Sequence, residues 1–479
     1  MANKGDLPGN AATIAVHGDS SYKWLVLGVV GVGTFMSALD GNVVNIVIPT
    51  IQHQFHATLG GVSWVSTAYL LVICSLLLTF GRLGDLMGYK NVYSTGYAIF
   101  GLGSFLCGMT GSLTGLVMAR ILQGIGAAIL MALGPALITT SFPPTERGKA
   151  LGMQATLTYL GLTIGPSLGG MISQRFGWHW VFWINVPVSI AGGLLALTLL
   201  RPNAERKEQQ FDLGGAAVLA LGLTALLMAL SQAEDWGWVS PVTISLWVGG
   251  LAAMVLFVWQ ETRVPQPMMP VWLLRTPAIA AGVLAAFLQY AVVFMLTFLL
   301  PFYLTNVRGL GPEQAGLVMT AQPLVMVAVA GLSGAVSDRI GTRWPASFGM
   351  AVLSVGLFLV SRAGVDHSQA VLMLSLALVG LGSGFFTAPN NSSIMGAAPR
   401  GHQGVASGLL AVARNVGMVT GIAVSGSLAA YLQASQEARG VGAGPAFLGA
   451  FQRTLLIAAA LGIVGTIFSL ARTHGSRRG

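Results

Sequence analysis

Charge is what this chain of 479 residues has least of: 8% of them are Asp, Glu, Lys or Arg, against 54% hydrophobic. Soluble domains are about one quarter charged. With a mean hydropathy of +0.74, the composition excludes a soluble globular protein and leaves a polytopic membrane protein. Cysteine is equally scarce. Cys74 and Cys107 lie inside apolar runs, with no metal-ligand spacing and no disulfide framework, and read as packing residues. There is also no nucleophile–base arrangement, phosphate-binding loop or appended soluble domain, which argues against a membrane-embedded enzyme or receptor. The formal charge of +9 does not indicate a nucleic-acid partner, because the basic residues fall in short runs between apolar segments and form no basic face. No charged-then-apolar leader precedes the first apolar segment, which is therefore expected to be an uncleaved anchor.

Apolar stretches near the spanning length of about 20 residues number about fourteen. They run 24–48, 61–80, 91–110, 114–139, 149–171, 180–200, 212–231, 241–260, 278–304, 313–335, 345–363, 369–396, 404–431 and 447–471. Of the 24 Lys and Arg residues, 17 fall on the side that holds both termini, and five (Arg175, Arg308, Arg362, Arg439, Arg453) on the other. That asymmetry makes the terminus-bearing side cytoplasmic. Trp178, Trp180, Trp183, Trp236 and Trp238 cluster at the opposite ends, as an interfacial belt would.

Acids are rarest of all inside the apolar runs. Asp40, in Leu39-Asp40-Gly41-Asn42-Val43-Val44-Asn45, is the sole carboxylate at membrane depth. An ionisable group there costs a few kcal/mol, and such groups face a cavity or a partner and serve transport or proton relay. The plainer alternative is a structural hydrogen bond between helices. Arg120 is a second buried charge, in the outer half of its helix as Asp40 is, with Leu376 at its counterpart position. Arg414, the third, has no acid in its own segment and reads as an interface or carbonyl-bonded residue.

The chain repeats itself. Gly81, Asp85, Gly88 and Lys90 recur as Gly334, Asp338, Gly341 and Arg343, in what read as two cytoplasmic loops; Gly152, Gly161 and Gly165 recur as Gly408, Gly417 and Gly421. Two parallel six-helix repeats with a substrate site near the midplane are a secondary-transporter plan. The expected organisation is a tail at 1–23, a bundle at 24–200, a linker with two peripheral extra helices at 201–277, a second bundle at 278–471 and a tail at 472–479. Asp85 and Asp338 are placed to meet helix N-termini across the interface, near Gly404 and Lys149 respectively. That would latch the cytoplasmic side, together with Gly81, Gly88, Lys90 and Arg339. A surface salt bridge is the weaker alternative. In the fifth segment the glycines clear one stripe for close helix approach and Pro166 favours a kink, as a moving helix between the halves would need.

These motifs resemble those of the fourteen-helix drug:proton antiporter family of the major facilitator superfamily, over nearly the whole chain. Gly81 to Lys90 resembles the superfamily signature between helices 2 and 3, with Leu86 and Tyr89 where basic residues are usual. Leu116 to Ala128, with Arg120, Gln123, Gly124 and Gly126, resembles the helix-4 signature whose arginine is implicated in proton coupling. Gly152, Gly161, Gly165, Pro166, Gly169 and Gly170 match the helix-5 signature of exporters. Asn42 stands where threonine is usual, and His179 where arginine is expected.

The resemblance implies an all-α integral membrane fold of two six-helix pseudo-symmetric bundles plus two extra helices. It also implies proton-coupled antiport of hydrophobic or cationic compounds by alternating access, with Asp40 and Arg120 coupling the proton. Export of an endogenous lipid or secondary metabolite is the alternative. Candidate cavity residues are Asn45, Gln123, Gln289, Tyr290, Phe294, Met295, Phe298, Asn390 and Asn391, since aromatic faces and thioethers accommodate varied lipophilic ligands. No nucleotide motif is present, so an ion gradient supplies the energy and no cofactor is expected. The expected setting is a monomer in the cell membrane, with both termini cytoplasmic and lipid, protons and a small molecule as partners.

Overall fold

Helices and short turns make up everything that the computed structural model describes, which is residues 20–143, 146–202, 213–237, 239–264, 271–366, 368–399 and 403–471. Residues 1–19 and 472–479 of the expected tails, Trp238 and most of the polar link after Arg201 lie outside those residues, while 20–23 of the expected first tail belong to the first helix. The long helices are α1 (Ser20–Phe55), α2 (Leu59–Met87), α3 (Tyr89–Met109), α4 (Leu113–Ser141) and α5 (Arg147–Phe176). A broken sixth follows as α6 (His179–Trp183) and α7 (Asn185–Leu199), then α8 (Leu213–Trp236) and α9 (Pro241–Glu261). The second part is α10 (Pro277–Phe302), α11 (Pro312–Ile340), α12 (Arg343–Val360), α13 (Gln369–Ala397), α14 (Gln403–Glu437) and α15 (Ala443–Leu470). Among the described residues, twelve helical spans are long and apolar enough to cross a membrane, α6 and α7 counting as one. The Gly- and Thr-rich α5 and the shorter apolar run of α8 fall outside that set, and both pack among the others.

Helix pairings in the first part recur in the second. α1 packs on α5, α2 and α3 on α4, and α3 on α7; correspondingly α10 packs on α14, α11 and α12 on α13, and α12 on α15. Two symmetric seams join the halves, α5 with α11 and α2 with α14. The repeated glycines turn the chain at equivalent places, with φ +89° at Gly88 and +86° at Gly341, a region open to glycine and costly for other residues. The flanking motif residues differ from expectation. Gly81–Met87 and Gly334–Ile340 are the last helical turns of α2 and α11, so the two expected loops shrink to Gly88 and a two-residue link at Gly341.

The fifth helix also differs from expectation. A Cβ on Gly161 would meet the Phe35 carbonyl at 2.7 Å and the Leu39 amide at 3.0 Å, and Gly165 and Gly169 likewise face α1. The stripe therefore packs α5 onto α1 within one half. In the other half Gly417 meets the Phe287 carbonyl and the Ala291 amide of α10 in the same way. Only the next face of α5 meets the other half: Gly170 abuts the Pro312 carbonyl, and Gly316 abuts that of Pro166.

Pro166 lacks the N–H that would bond Leu162, four residues back. Asn42 of α1 supplies the missing donor, its Nδ2 lying 2.7 Å from the Leu162 carbonyl. The second half repeats the device: Ser333 Oγ donates to Phe385 (3.1 Å), the carbonyl four residues before Pro389 of α13. Asparagine in place of threonine at position 42 thus has a definite structural task.

Of the two extra helices, α9 is peripheral as expected and α8 is not. It lies against both α2 and α14, where Trp64 Nε1 donates to Gln232 (3.0 Å) and Ser427 Oγ to the Leu230 carbonyl (3.1 Å). Among the described residues, the hydrogen bonds and ion pair between the halves all lie at the end remote from the termini, the far end. His53 pairs with Asn306 (3.2 Å), the Glu313 amide with Gln174 (3.0 Å), and Arg175 with Glu313 (4.0 Å). At the near end, Gly81, Gly152, Gly331 and Gly334 have open space where a Cβ would stand.

Two outcomes check this packing. Gly161→Leu should lower thermal stability in detergent by about 1–3 kcal/mol through overpacking, whereas Gly152→Leu should leave it unchanged; equal effects would contradict the stripe. Asn42→Ala should cost about 1–3 kcal/mol by orphaning a buried carbonyl. Pro166→Ala in the same chain should recover most of that loss by restoring the backbone donor, and a strictly additive double variant would refute the pairing.

Candidate functional site

Five helices converge on Asp40. Arg120 and Gln123, three apart on α4, share one face of that helix and both reach the carboxylate. Arg120 Nη1 donates to Oδ2 at 2.6 Å and Gln123 Nε2 to Oδ1 at 2.9 Å. The break at Ile184 starts α7 with Asn185, whose Nδ2 donates to Oδ1 at 2.8 Å. Behind this layer Arg120 Nε donates to the Val65 carbonyl (2.9 Å) and Nη1 to Gln123 Oε1 (2.6 Å), which also accepts from the Cys107 thiol. Gln123 in turn donates to Ser104 Oγ (2.7 Å). The guanidinium lies 3.9 Å from the centre of the Tyr69 ring.

All of these side chains are sealed from solvent: Asp40 and Gln123 are 0% exposed, Arg120 1% and Asn185 2%. A buried ion pair offsets its desolvation only when the remaining donors and lone pairs find partners; here three N–H groups meet the carboxylate, and Arg120 Nε and Nη1 are both bonded. Every polar contact on the carboxylate is an N–H donor, the environment of an ionised acid. Adding a proton would remove the charge at which all three donors point. The expected opening of Asp40 onto a cavity is absent; it sits inside the first half.

Sequence reasoning paired Asp40 with Arg120 and missed Asn185, Ser104 and Tyr69. Each is a lone polar or aromatic group in an apolar run, and nothing in one sequence says which helices meet. Gln123, expected in a substrate cavity, belongs to this network. Asn45 is also buried, and its Oδ1 accepts from Ser66 Oγ (3.2 Å).

The other cavity candidates separate by face. Gln289, Met295, Phe298 and Asn390 are buried among helices. Asn390 Nδ2 donates to the Gly282 carbonyl (3.2 Å), tying α13 to α10, and Phe298 packs edge-on against Phe302. Tyr290, Phe294 and Asn391 are half-buried. Arg414 is half-buried too, its guanidinium 5.9 Å from the Tyr290 ring.

Of the latch residues, Asp338 and Arg339 are exposed and Asp338 forms no ion pair among the described residues; the side chain of Asp85 lies outside them. The near end of the first half is instead held by Lys23 Nζ on Glu146 (2.5 Å). The expected aromatic belt loses Trp178, which is buried and donates to Gln54 Oε1 (2.7 Å). Trp180 remains half-exposed and, with Trp183 and Phe176, borders a shallow depression of about 420 Å³ on the flank of the first half. Its lining comes from that half alone.

The profile of the Major Facilitator Superfamily matches residues 30–271 and 282–478. The chain is 33% identical to the riboflavin transporter RibZ of Clostridioides difficile, covering 95% of this chain and 99% of that one. It is 33% identical to the tetracenomycin C resistance and export protein of Streptomyces glaucescens, covering 89% and 79%. Among solved structures, a bacterial homologue of the human lysosomal transporter Spinster, inward-facing and unoccupied, superposes with a TM-score of 0.68 at 15% identity, covering 95% and 97%. At that identity the likeness is one of fold. Repeated helix pairing, spanning helices and a whole-length family match agree, and the chain belongs to the Major Facilitator Superfamily of secondary membrane transporters.

Proposed function

We propose that this protein is a proton-coupled exporter of lipophilic small molecules, of the fourteen-helix drug:proton antiporter type, with its near end and both termini in the cytoplasm. The observation that carries the reading is the buried Asp40 carboxylate inside the first half, met by three N–H donors. Protonation from outside would release Arg120, Gln123 and Asn185 from the carboxylate. α1 carries Asp40 and also packs on the glycine stripe of α5, whose next face meets α11, so a change at Asp40 has a short mechanical route to the seam. The two halves would then rock about the midplane, closing one end as the other opens. Asp85, Asp338 and their neighbours would latch the cytoplasmic end in the outward-open state, which accounts for the exposure of Asp338 when the far end is the closed one.

The names of the relatives support a small organic substrate: one is called a resistance and export protein and one a riboflavin transporter. The second name favours, as an alternative, movement of a metabolite through the same machinery. The cationic part of the sequence expectation is not carried forward, because the interior charges are Asp40, already paired, and two arginines.

In proteoliposomes with an imposed pH gradient, Asp40→Asn should abolish concentrative uptake of substrate while leaving downhill exchange. Accumulation by that variant at the wild-type level would refute the coupling role. Arg120→Met alone should cost about 3–5 kcal/mol by stranding a buried carboxylate, and Asp40→Asn added to it should restore much of that stability without restoring transport. For a neutral substrate exchanged for one proton, uptake should also respond to voltage, at about 2.3 kcal/mol per charge for each 100 mV.

A further inference from the structure

Near the middle of α14 stands a charge that no acid among the described residues answers. Arg414 of α14 forms no hydrogen bond or ion pair among the described residues. Tyr290 of α10 lies beneath its guanidinium, and Tyr159 of α5, from the other half, is within electrostatic reach of both. The three start 11 to 13 residues into helices that begin at the near end. At 1.5 Å per residue they share a depth of roughly 16–20 Å, close to the middle of the bilayer. All three are half-buried. The only acid in the membrane interior among the described residues, Asp40, is sealed inside the first half and neutralised by Arg120. The charge of Asp40 is thus answered within the first half, and that of Arg414 is not.

We infer that Arg414, Tyr290 and Tyr159 form the head-group site for an organic anion: a lipophilic, ring-bearing substrate with a carboxylate or phenolate oxygen. An unpaired arginine at membrane depth is costly, and such groups pair or mark a ligand path. The planar guanidinium matches a carboxylate with two parallel N–H donors, which an ammonium cannot do. The two tyrosines supply hydroxyl donors for the remaining lone pairs and ring faces for the substrate body. A cation would meet like charge there. Because Tyr159 comes from one half and Tyr290 and Arg414 from the other, the bound anion would bridge them, and rocking would dismantle the site. This deepens the exporter reading and rests on it for the direction of movement. Exchange of a monoanion outward for one proton inward would move two charges per cycle, against one for a neutral substrate.

Binding can be measured without transport, using the full-length protein in phosphatidylcholine nanodiscs and three forms of one fluorescent ring: the carboxylic acid, its methyl ester and an amide bearing a quaternary ammonium. The acid should bind at least about tenfold more tightly than the ester, and the ammonium form more weakly than either. Arg414→Gln should bring the acid down to the ester's affinity while leaving the ester unchanged, which shows that the variant is folded. Arg414→Lys should retain part of the preference. Equal binding of acid and ester by the unaltered protein, or an acid preference that survives Arg414→Gln, would overturn the assignment. In phosphatidylglycerol nanodiscs, weaker acid binding that disappears with Arg414→Gln would identify a lipid phosphate as a competing anion in the same site; unchanged binding would identify the soluble acid as the occupant. An acid preference without pH-driven accumulation would sink the proton-exchange reading and leave this site standing.

Discussion

One buried ion pair organises the first half of this transporter. Asp40 and Arg120 have been removed from water inside a membrane protein, an arrangement that is tolerable only if each hydrogen-bonding group nearby finds a partner. That requirement recruits α1, α2, α3, α4 and α7, and it gives the break at Ile184 a purpose, since the new helix begins with the Asn185 amide aimed at the carboxylate. Three N–H donors meet the carboxylate, and a proton placed on it would remove the charge they share. A site satisfied in one protonation state and frustrated in the other is a two-state element, which alternating access demands.

The scaffold around that pair is symmetric and the chemistry is not. Gly161 on α1 and Gly417 on α10 contact equivalent carbonyl and amide groups. That register sets Asp40 opposite Val292, which is wholly buried in the packing of α10. The prolines of α5 and α13 are each relieved by a polar side chain from a neighbouring helix. The two halves thus share one packing scheme, while the buried Asp40–Arg120 pair lies in one and Arg414, without an ion pair among the described residues, in the other. On the proposed reading, a proton at Asp40 and an anion at Arg414 would act on one rocking motion from opposite sides of the seam.

Much of this was legible in the sequence because the bilayer is an unforgiving solvent. Apolar length gave the spans, the lone acid stood out against a background with almost no charge, and repeated glycines revealed the duplication. What was hidden depended on which helices meet. The glycine stripe of α5 was expected at the seam between halves and instead faces α1, since spacing along a helix does not name its neighbour. The motif at Gly81–Lys90 looked like a loop because of its charge and glycines, yet it is helical up to Gly88, the one position with positive φ. Gln123 was read as cavity-lining, and its amide proved to meet Asp40 instead. α8 looked peripheral because it lies outside the repeats, and it contacts both halves at one of their two seams.

The claim on which the rest depends is that Asp40 itself gains and loses the proton, and infrared difference spectroscopy observes that event directly. Spectra of the reconstituted protein, recorded across the pH range in which it transports, should show a protonated-carboxyl band that appears on acidification and is missing from Asp40→Asn. If no band that depends on Asp40 appears anywhere in that range while transport continues, the proton is carried elsewhere and Asp40 is only structural.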